Sequence, residues 1–168
     1  MDLFIRAGSP VPTDFPRIVE GEITARDRKV AVVAARFNDF IVSSLLKGAT
    51  TSWLEHGGAP EDLFIARVPG AFEVPVAARK LAASGKYDAV VALGCVIRGD
   101  TPHFEYVAGE CARGLQLASL ETGIPIIFGV LTVETVEQAL ERAATSAGNK
   151  GGESMDVALE MAGLMSQL

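Results

Sequence analysis

Within residues 94–106 (GCVIRGDTPHFEY), a guanidinium (Arg98), a carboxylate (Asp100), a hydroxyl (Thr101) and an imidazole (His103) crowd around Gly99. Imidazole takes up and releases protons near neutrality, which makes His103 a candidate general acid/base. Gly99, Asp100 and Thr101 offer backbone N–H groups and one hydroxyl to an anion such as a phosphate. The Asp100 carboxylate would repel that anion, so its backbone is the expected contact. Arg98 suits either a phosphate or a neighbouring carboxylate, and pairing with a carboxylate is the preferred reading. A lone histidine is more often an ordinary surface residue, so the case for His103 rests on where the fold puts it. His56, the second of two histidines, precedes Gly57-Gly58 and reads as a residue favourable to a helix C-terminus.

The elements that must hold this stretch can be read from periodicity. Residues 89–95 form an apolar run expected of a strand buried on both faces of a parallel sheet, and residues 104–121 repeat apolar positions at helical spacing. The loop between them lies at the carboxyl end of a strand and beside a helix N-terminus, where open α/β sheets bind ligands. Three further strands are predicted at 29–35 (KVAVVAA), 63–68 and 124–130, the last with a tolerated proline near its start. Helices are predicted at 40–56, with Asp39 placed to cap it and Gly57-Gly58 to stop it, at 74–84, and at about 135–144 behind a Thr135/Gln138 capping box. The run 148–152 (GNKGG) should break the chain before a last helix to about Met165. Strands alternating with helices imply a right-handed, helix-flanked parallel sheet. Residues 1–16, with Gly8, Pro10, Pro12 and Pro16, read as an arm, and residues 17–168 as one domain. Residues 17–24 (RIVEGEIT) suggest a short strand, either at an edge or lent to a neighbouring subunit.

Composition narrows the function classes. A chain of 168 residues, 49% hydrophobic and 21% charged, describes a soluble globular domain with a sizeable core. A net charge of −6 argues against a nucleic-acid binder while leaving room for a local phosphate pocket. Cys95 and Cys111 have neither metal-ligand nor disulfide-framework spacing, so reduced thiols, no metal and a cytoplasmic location are expected. No signal peptide or membrane-length apolar run is expected either.

Five stretches carry a family resemblance: 36–39 (RFND), 69–73 (PGAFE), 94–106, Phe128-Gly129 and 134–151. In order and spacing they resemble the motifs of lumazine synthases, enzymes of riboflavin biosynthesis, from about Gly21 to the chain end. The fold this implies is a single-domain three-layer α/β/α sandwich on a four-stranded parallel, flavodoxin-like sheet. The implied reaction condenses 5-amino-6-(D-ribitylamino)uracil with 3,4-dihydroxy-2-butanone 4-phosphate, giving 6,7-dimethyl-8-ribityllumazine, phosphate and water, with no cofactor.

The resemblance also implies roles. Phe37 is the face on which the pyrimidine stacks, with Asn38 near the ribityl chain; read without the family, Phe37 would cap the core. Gly70, Ala71, Phe72 and Glu73 form a second contact, Glu73 accepting hydrogen bonds from the ribityl hydroxyls, favouring a helix dipole, or both. Cys95, Val96 and Ile97 contact the pyrimidine and ribityl side through the backbone. Gly99, Asp100, Thr101 and Arg142 bind phosphate, and His103 is the acid/base. Phe128 and Lys150 reach the pyrimidine, and Arg142 the phosphate, from an adjoining subunit, because the family shares its site between neighbours of a pentamer. Some members assemble pentamers into icosahedral shells, and riboflavin synthase is a candidate partner. Two alternatives are a related archaeal-type riboflavin synthase and a non-catalytic flavin or lumazine binder. Ser146 stands where many members have lysine, which would weaken local charge.

Overall fold

A computed structural model describes residues 16–144 and 148–168. The expected arm and Ser146 therefore fall, but for Pro16, outside the described residues. Four strands, β1 (Val30–Ala35), β2 (Leu63–Val68), β3 (Ala89–Ile97) and β4 (Ile126–Val133), make one wholly parallel sheet in the order β2-β1-β3-β4. Among the described residues five α-helices, α1 (Asp39–Glu55), α2 (Val74–Ala82), α3 (His103–Thr122), α4 (Val136–Ala143) and α5 (Lys150–Met165), flank the sheet.

Alternation along β1 explains the layers. All six of its residues are buried, and successive side chains enter opposite cores. Val30, Val32 and Ala34 pack with Leu45 and Trp53 of α1 and Met155 and Leu159 of α5. Ala31, Val33 and Ala35 pack with Val74 and Ala78 of α2 and Cys111 and Leu115 of α3. A strand apolar on both faces has to be sandwiched, and the chain is the three-layer α/β/α structure expected. Because β1 neighbours both β2 and β3, a crevice opens at the carboxyl ends of these strands, the usual ligand position in such sheets.

Several boundaries differ from the sequence expectation. The fourth strand runs Ile126–Val133 rather than 124–130. Pro125 lacks an N–H and only its carbonyl joins the ladder, accepting from Val90 N at 2.9 Å, while pairing continues to Ile97↔Val133. The same ladder makes Val96 and Ile97 strand residues rather than loop. Asp39 is not the cap of α1. Asn38 is, in the left-handed region at φ 58° and ψ 43°, and Asp39 is free to pair with Arg67. The glycines at 151 and 152 lie inside the first turn of α5, because Asn149 Oδ1 accepts from their N–H groups at 2.8 and 3.2 Å. Gly151 is required there: a Cβ would stand 1.9 Å from Leu45 O, so only glycine lets α5 lie this close to α1. Residues 17–24 make no ladder with the other described residues; Gly21 instead packs on the C-terminal part of α5, beside Glu160 O. The Thr135/Gln138 cap is present, with Gln138 N donating to Thr135 Oγ1 at 3.2 Å.

Candidate active site

Three strand tips are laced together by two backbone hydrogen bonds and one from a side chain. Arg36 N donates to Val68 O at 2.8 Å and Phe37 N to Pro69 O at 3.0 Å, joining the end of β1 to the end of β2. Asn38 Nδ2 donates to Cys95 O at 2.9 Å, joining the same turn to β3. Asparagine tolerates left-handed backbone better than most residues, so it can shape the turn and brace it at once. Its amide nitrogen is thus held by the protein, which leaves Oδ1 as the side-chain group open to a ligand. The product of this bracing is a ring that cannot fold into the core: Phe37 is 71% exposed.

Phe37, Gly70, Ala71, Phe72, Glu73, Cys95, Val96, Ile97, Gly99, Thr101 and His103 line one cleft of about 660 Å³. Asn38 and Asp100 stand at its margin without lining it. Phe72 is 58% exposed, on the short 3-10 segment Ala71–Glu73 that follows β2. His103 is the first residue of α3 and is exposed, with its N–H 3.5 Å from Thr101 Oγ1. No side chain caps the α3 N-terminus; Glu105 N donates to Pro102 O at 3.1 Å, which leaves the Phe104 amide and the weakly engaged His103 amide for an anion. Burial pushes the Cys95 thiol up to about 11, which keeps it protonated and unreactive at neutral pH.

Phe104, Tyr106 and Val107 also line this cleft and were not singled out from sequence. The signal was present: Tyr106 and Val107 lie three and four residues past His103, the spacing that shares a helix face.

Arg98 is not turned to the cleft as a free cation. Its Nε donates to Glu134 Oε2 at 2.7 Å, its Nη1 to Glu105 Oε1, and its Cζ sits 4.2 Å from the centre of the Phe104 ring. The preference for carboxylate pairing is what the structure shows. Glu105 is held below the ordinary carboxylate range by the Arg98 guanidinium.

The remaining predicted residues lie elsewhere. Phe128 on β4, Arg142 in the last turn of α4 and Lys150 at the start of α5 line a second cleft of about 480 Å³, which shares no residue with the first. The rest of β4 from Ile127 to Val133 also lines it, as do Glu153, Ser154 and Val157 of α5, which the sequence did not single out. Arg142 Nη1 donates to Gln138 O at 3.0 Å and comes within 3.8 Å of the Glu141 carboxylate, a loose pairing that leaves the guanidinium accessible. Lys150 is engaged locally, its Nζ 2.5 Å from Glu153 Oε2. One chain therefore carries an aromatic cleft with an imidazole and, apart from it, a cleft with the arginine.

Residues 27–166 match the family model described as 6,7-dimethyl-8-ribityllumazine synthase. The matched span takes in both clefts and every candidate site residue.

Proposed function

The chain belongs to the 6,7-dimethyl-8-ribityllumazine synthase family, a family of transferases, and on that premise we propose the reaction and the division of labour that follow. The substrates are 5-amino-6-(D-ribitylamino)uracil and 3,4-dihydroxy-2-butanone 4-phosphate. The products are 6,7-dimethyl-8-ribityllumazine, phosphate and two molecules of water. The observation that carries this reading is the complementarity of the two clefts: one has aromatic rings and a proton carrier, the other an accessible guanidinium beside an aromatic ring.

Stacking on Phe37 holds the pyrimidine at the tip of β1, where backbone groups of Val96 and Ile97 meet its polar edge. The exposed Glu73 carboxylate accepts from ribityl hydroxyls. The 5-amino group attacks the ketone carbonyl, and loss of water leaves an imine. Proton removal next to that imine expels phosphate and leaves an enol, which takes a proton at its terminal carbon to become a methyl ketone. The ribitylamino nitrogen then attacks this ketone and closes the ring with loss of a second water. His103 is suited to move protons in these steps, because it stands at the cleft edge beside the uncapped α3 N-terminus. That N-terminus, with the amides of Gly99, Asp100 and Thr101, receives the phosphate together with Arg142. An aromatic diamine and a ketone combine unaided, so most of the acceleration comes from holding both in one place.

On this reading Phe128, Arg142 and Lys150 come from a second copy of the chain. Two different patches of one subunit that meet each other's counterpart form a heterologous interface, which closes into a ring, here a pentamer. Shells of such pentamers and a complex with riboflavin synthase are compatible additions. Residues 17–24, which find no strand partner among the described residues, are suited to a neighbour's sheet edge. The cytoplasm is the compartment assigned, in keeping with two free thiols. Among the described residues, no helix is long and apolar enough to cross a membrane.

The test is an absorbance assay for lumazine formation from the two purified substrates, with the ketone phosphate varied and the uncatalysed rate subtracted. Saturable turnover well above background is expected. Background-level turnover by a well-folded oligomer would overturn the reaction and favour a binding protein.

A further inference from the structure

Arg98 touches both halves of the chain's chemistry. Glu105, bound by its Nη1, lies in the first turn of α3, two residues beyond His103. Glu134, bound by its Nε at 2.7 Å, lies in the turn between β4 and α4. The Arg98 backbone joins the same region, its N–H donating to Val133 O at 2.9 Å. From Glu134 the contacts continue: its N–H donates to Gln138 Oε1 at 2.8 Å, and Gln138 O accepts from Arg142 Nη1 at 3.0 Å. A short polar chain thus runs from the His103 loop, through one guanidinium, to the arginine of the second cleft.

We propose that Arg98 is a positioning residue that fixes the His103 loop through Glu105 and the Arg142 helix through Glu134, so that one side chain sets the geometry of both half-sites. This rests on the reaction proposed above. Stability is a poor explanation for the arrangement, since exposed ion pairs contribute little to it. Geometry is the better one. Guanidinium is a planar fork whose edges engage two carboxylates while its face lies on Phe104, and this holds three groups in one fixed relation. Lysine, a point charge on a flexible stem, would hold one carboxylate at a time. The loop from Gly99 to Pro102 has no other described side-chain ion pair to anchor it, which leaves the clamp at Arg98 as its fixed end.

The experiment compares three variants in the assembled protein: Glu105→Gln, Glu134→Gln and Arg98→Lys. Releasing Glu105 loosens the His103 end, so kcat should fall roughly tenfold while KM for the ketone phosphate stays within about twofold, in line with the cost of small misplacements at a reacting centre. Releasing Glu134 loosens the α4 end, so KM for the ketone phosphate should rise roughly tenfold with kcat little changed. Arg98→Lys should show both effects. Amide hydrogen exchange supplies a readout independent of turnover. Exchange should quicken over residues 99–106 in Glu105→Gln, over 134–142 in Glu134→Gln, and over both in Arg98→Lys. Equal losses in kcat and KM across all three variants, tracking a lowered melting temperature, would overturn the clamp, as would exchange identical to wild type. Failure of the reaction itself would appear separately, as absence of turnover by the wild-type protein, with the exchange pattern still deciding the clamp.

Discussion

The cleft at the tips of β1, β2 and β3 and the cleft along β4, α4 and α5 are made of different materials. The first is walled by rings: Phe37, Phe72 and a 69%-exposed Tyr106 face it, with His103 at the edge. The second pairs one ring, Phe128, with Arg142 and the Lys150–Glu153 ion pair. Exposed rings at strand tips are costly in water unless something covers them, and an accessible arginine calls for an anion. Neither cleft alone offers both a stacking face with a proton carrier and a strong phosphate ligand. On the proposed function, a heterologous contact between copies would bring the two together.

The sharpest way to separate the two is to remove the reactive group of each. His103→Ala should lower kcat by about a hundredfold, the low end for acid/base catalysis because the partners also combine unaided, with pyrimidine affinity unchanged. Arg142→Ala should instead raise KM for the ketone phosphate by roughly ten- to a hundredfold, the worth of hydrogen bonds to a charged group. Steady-state kinetics with each substrate varied in turn distinguishes these patterns. Identical patterns in the two variants would erase the division of labour.

A backbone change attacks one cleft only. Gly151→Ala drives a Cβ toward Leu45 O, so α5 must move away from α1 at about 1–3 kcal/mol of overpacking cost. Melting temperature should fall, and binding at the second cleft should suffer while stacking on Phe37 is spared, because Lys150 and Ser154 move with α5 and Phe37 does not. A smaller effect is expected from Phe37→Ala: a pyrimidine KM about tenfold higher, from the loss of about 1 kcal/mol of ring contact with some buried area, at nearly unchanged melting temperature. Calorimetric titration of the pyrimidine checks it.

The least effect is electrostatic. The Glu105 carboxylate, lowered from its ordinary 4.5 by Arg98, contributes stability that is present above that value and fades as pH falls through the depressed one. Asp39, lowered from 3.8 by Arg67 and then Ser43, acts in the same sense. Thermal melts of wild type and Glu105→Gln should therefore differ slightly at neutral pH and converge as the solution is acidified below about 4.5. A gap that widens on acidification would contradict the pairing.

What was legible in the sequence follows from this physics. Strands such as β1 are buried on both faces and so read as unbroken apolar runs, which made the sheet and its layers plain. The loop at 98–103 was legible because its chemistry is contiguous in the chain. Asp39 was misread as a cap because aspartate usually is one, whereas the turn at Asn38 adopts a left-handed conformation braced across to Cys95. The glycines at 151 and 152 looked like a helix breaker, and only the packing of α5 against Leu45 explains them inside a helix. Arg142 and Phe128 have no local signature: an arginine on an amphipathic helix is ordinarily solvated, so resemblance alone singled them out. Tyr106 and Val107 were within reach through their spacing from His103.

The claim that one site is assembled from two copies can be tested by mixing. His103→Ala and Arg142→Ala chains are unfolded, combined in equal amounts and refolded together, then assayed beside each variant refolded alone. If the two half-sites come from neighbouring chains, about one site in four regains both His103 and Arg142, and turnover should rise clearly above either parent toward roughly a quarter of wild type. Activity of the verified mixed assembly no greater than the average of the two parents would place both residues in the service of a single chain and contradict the account.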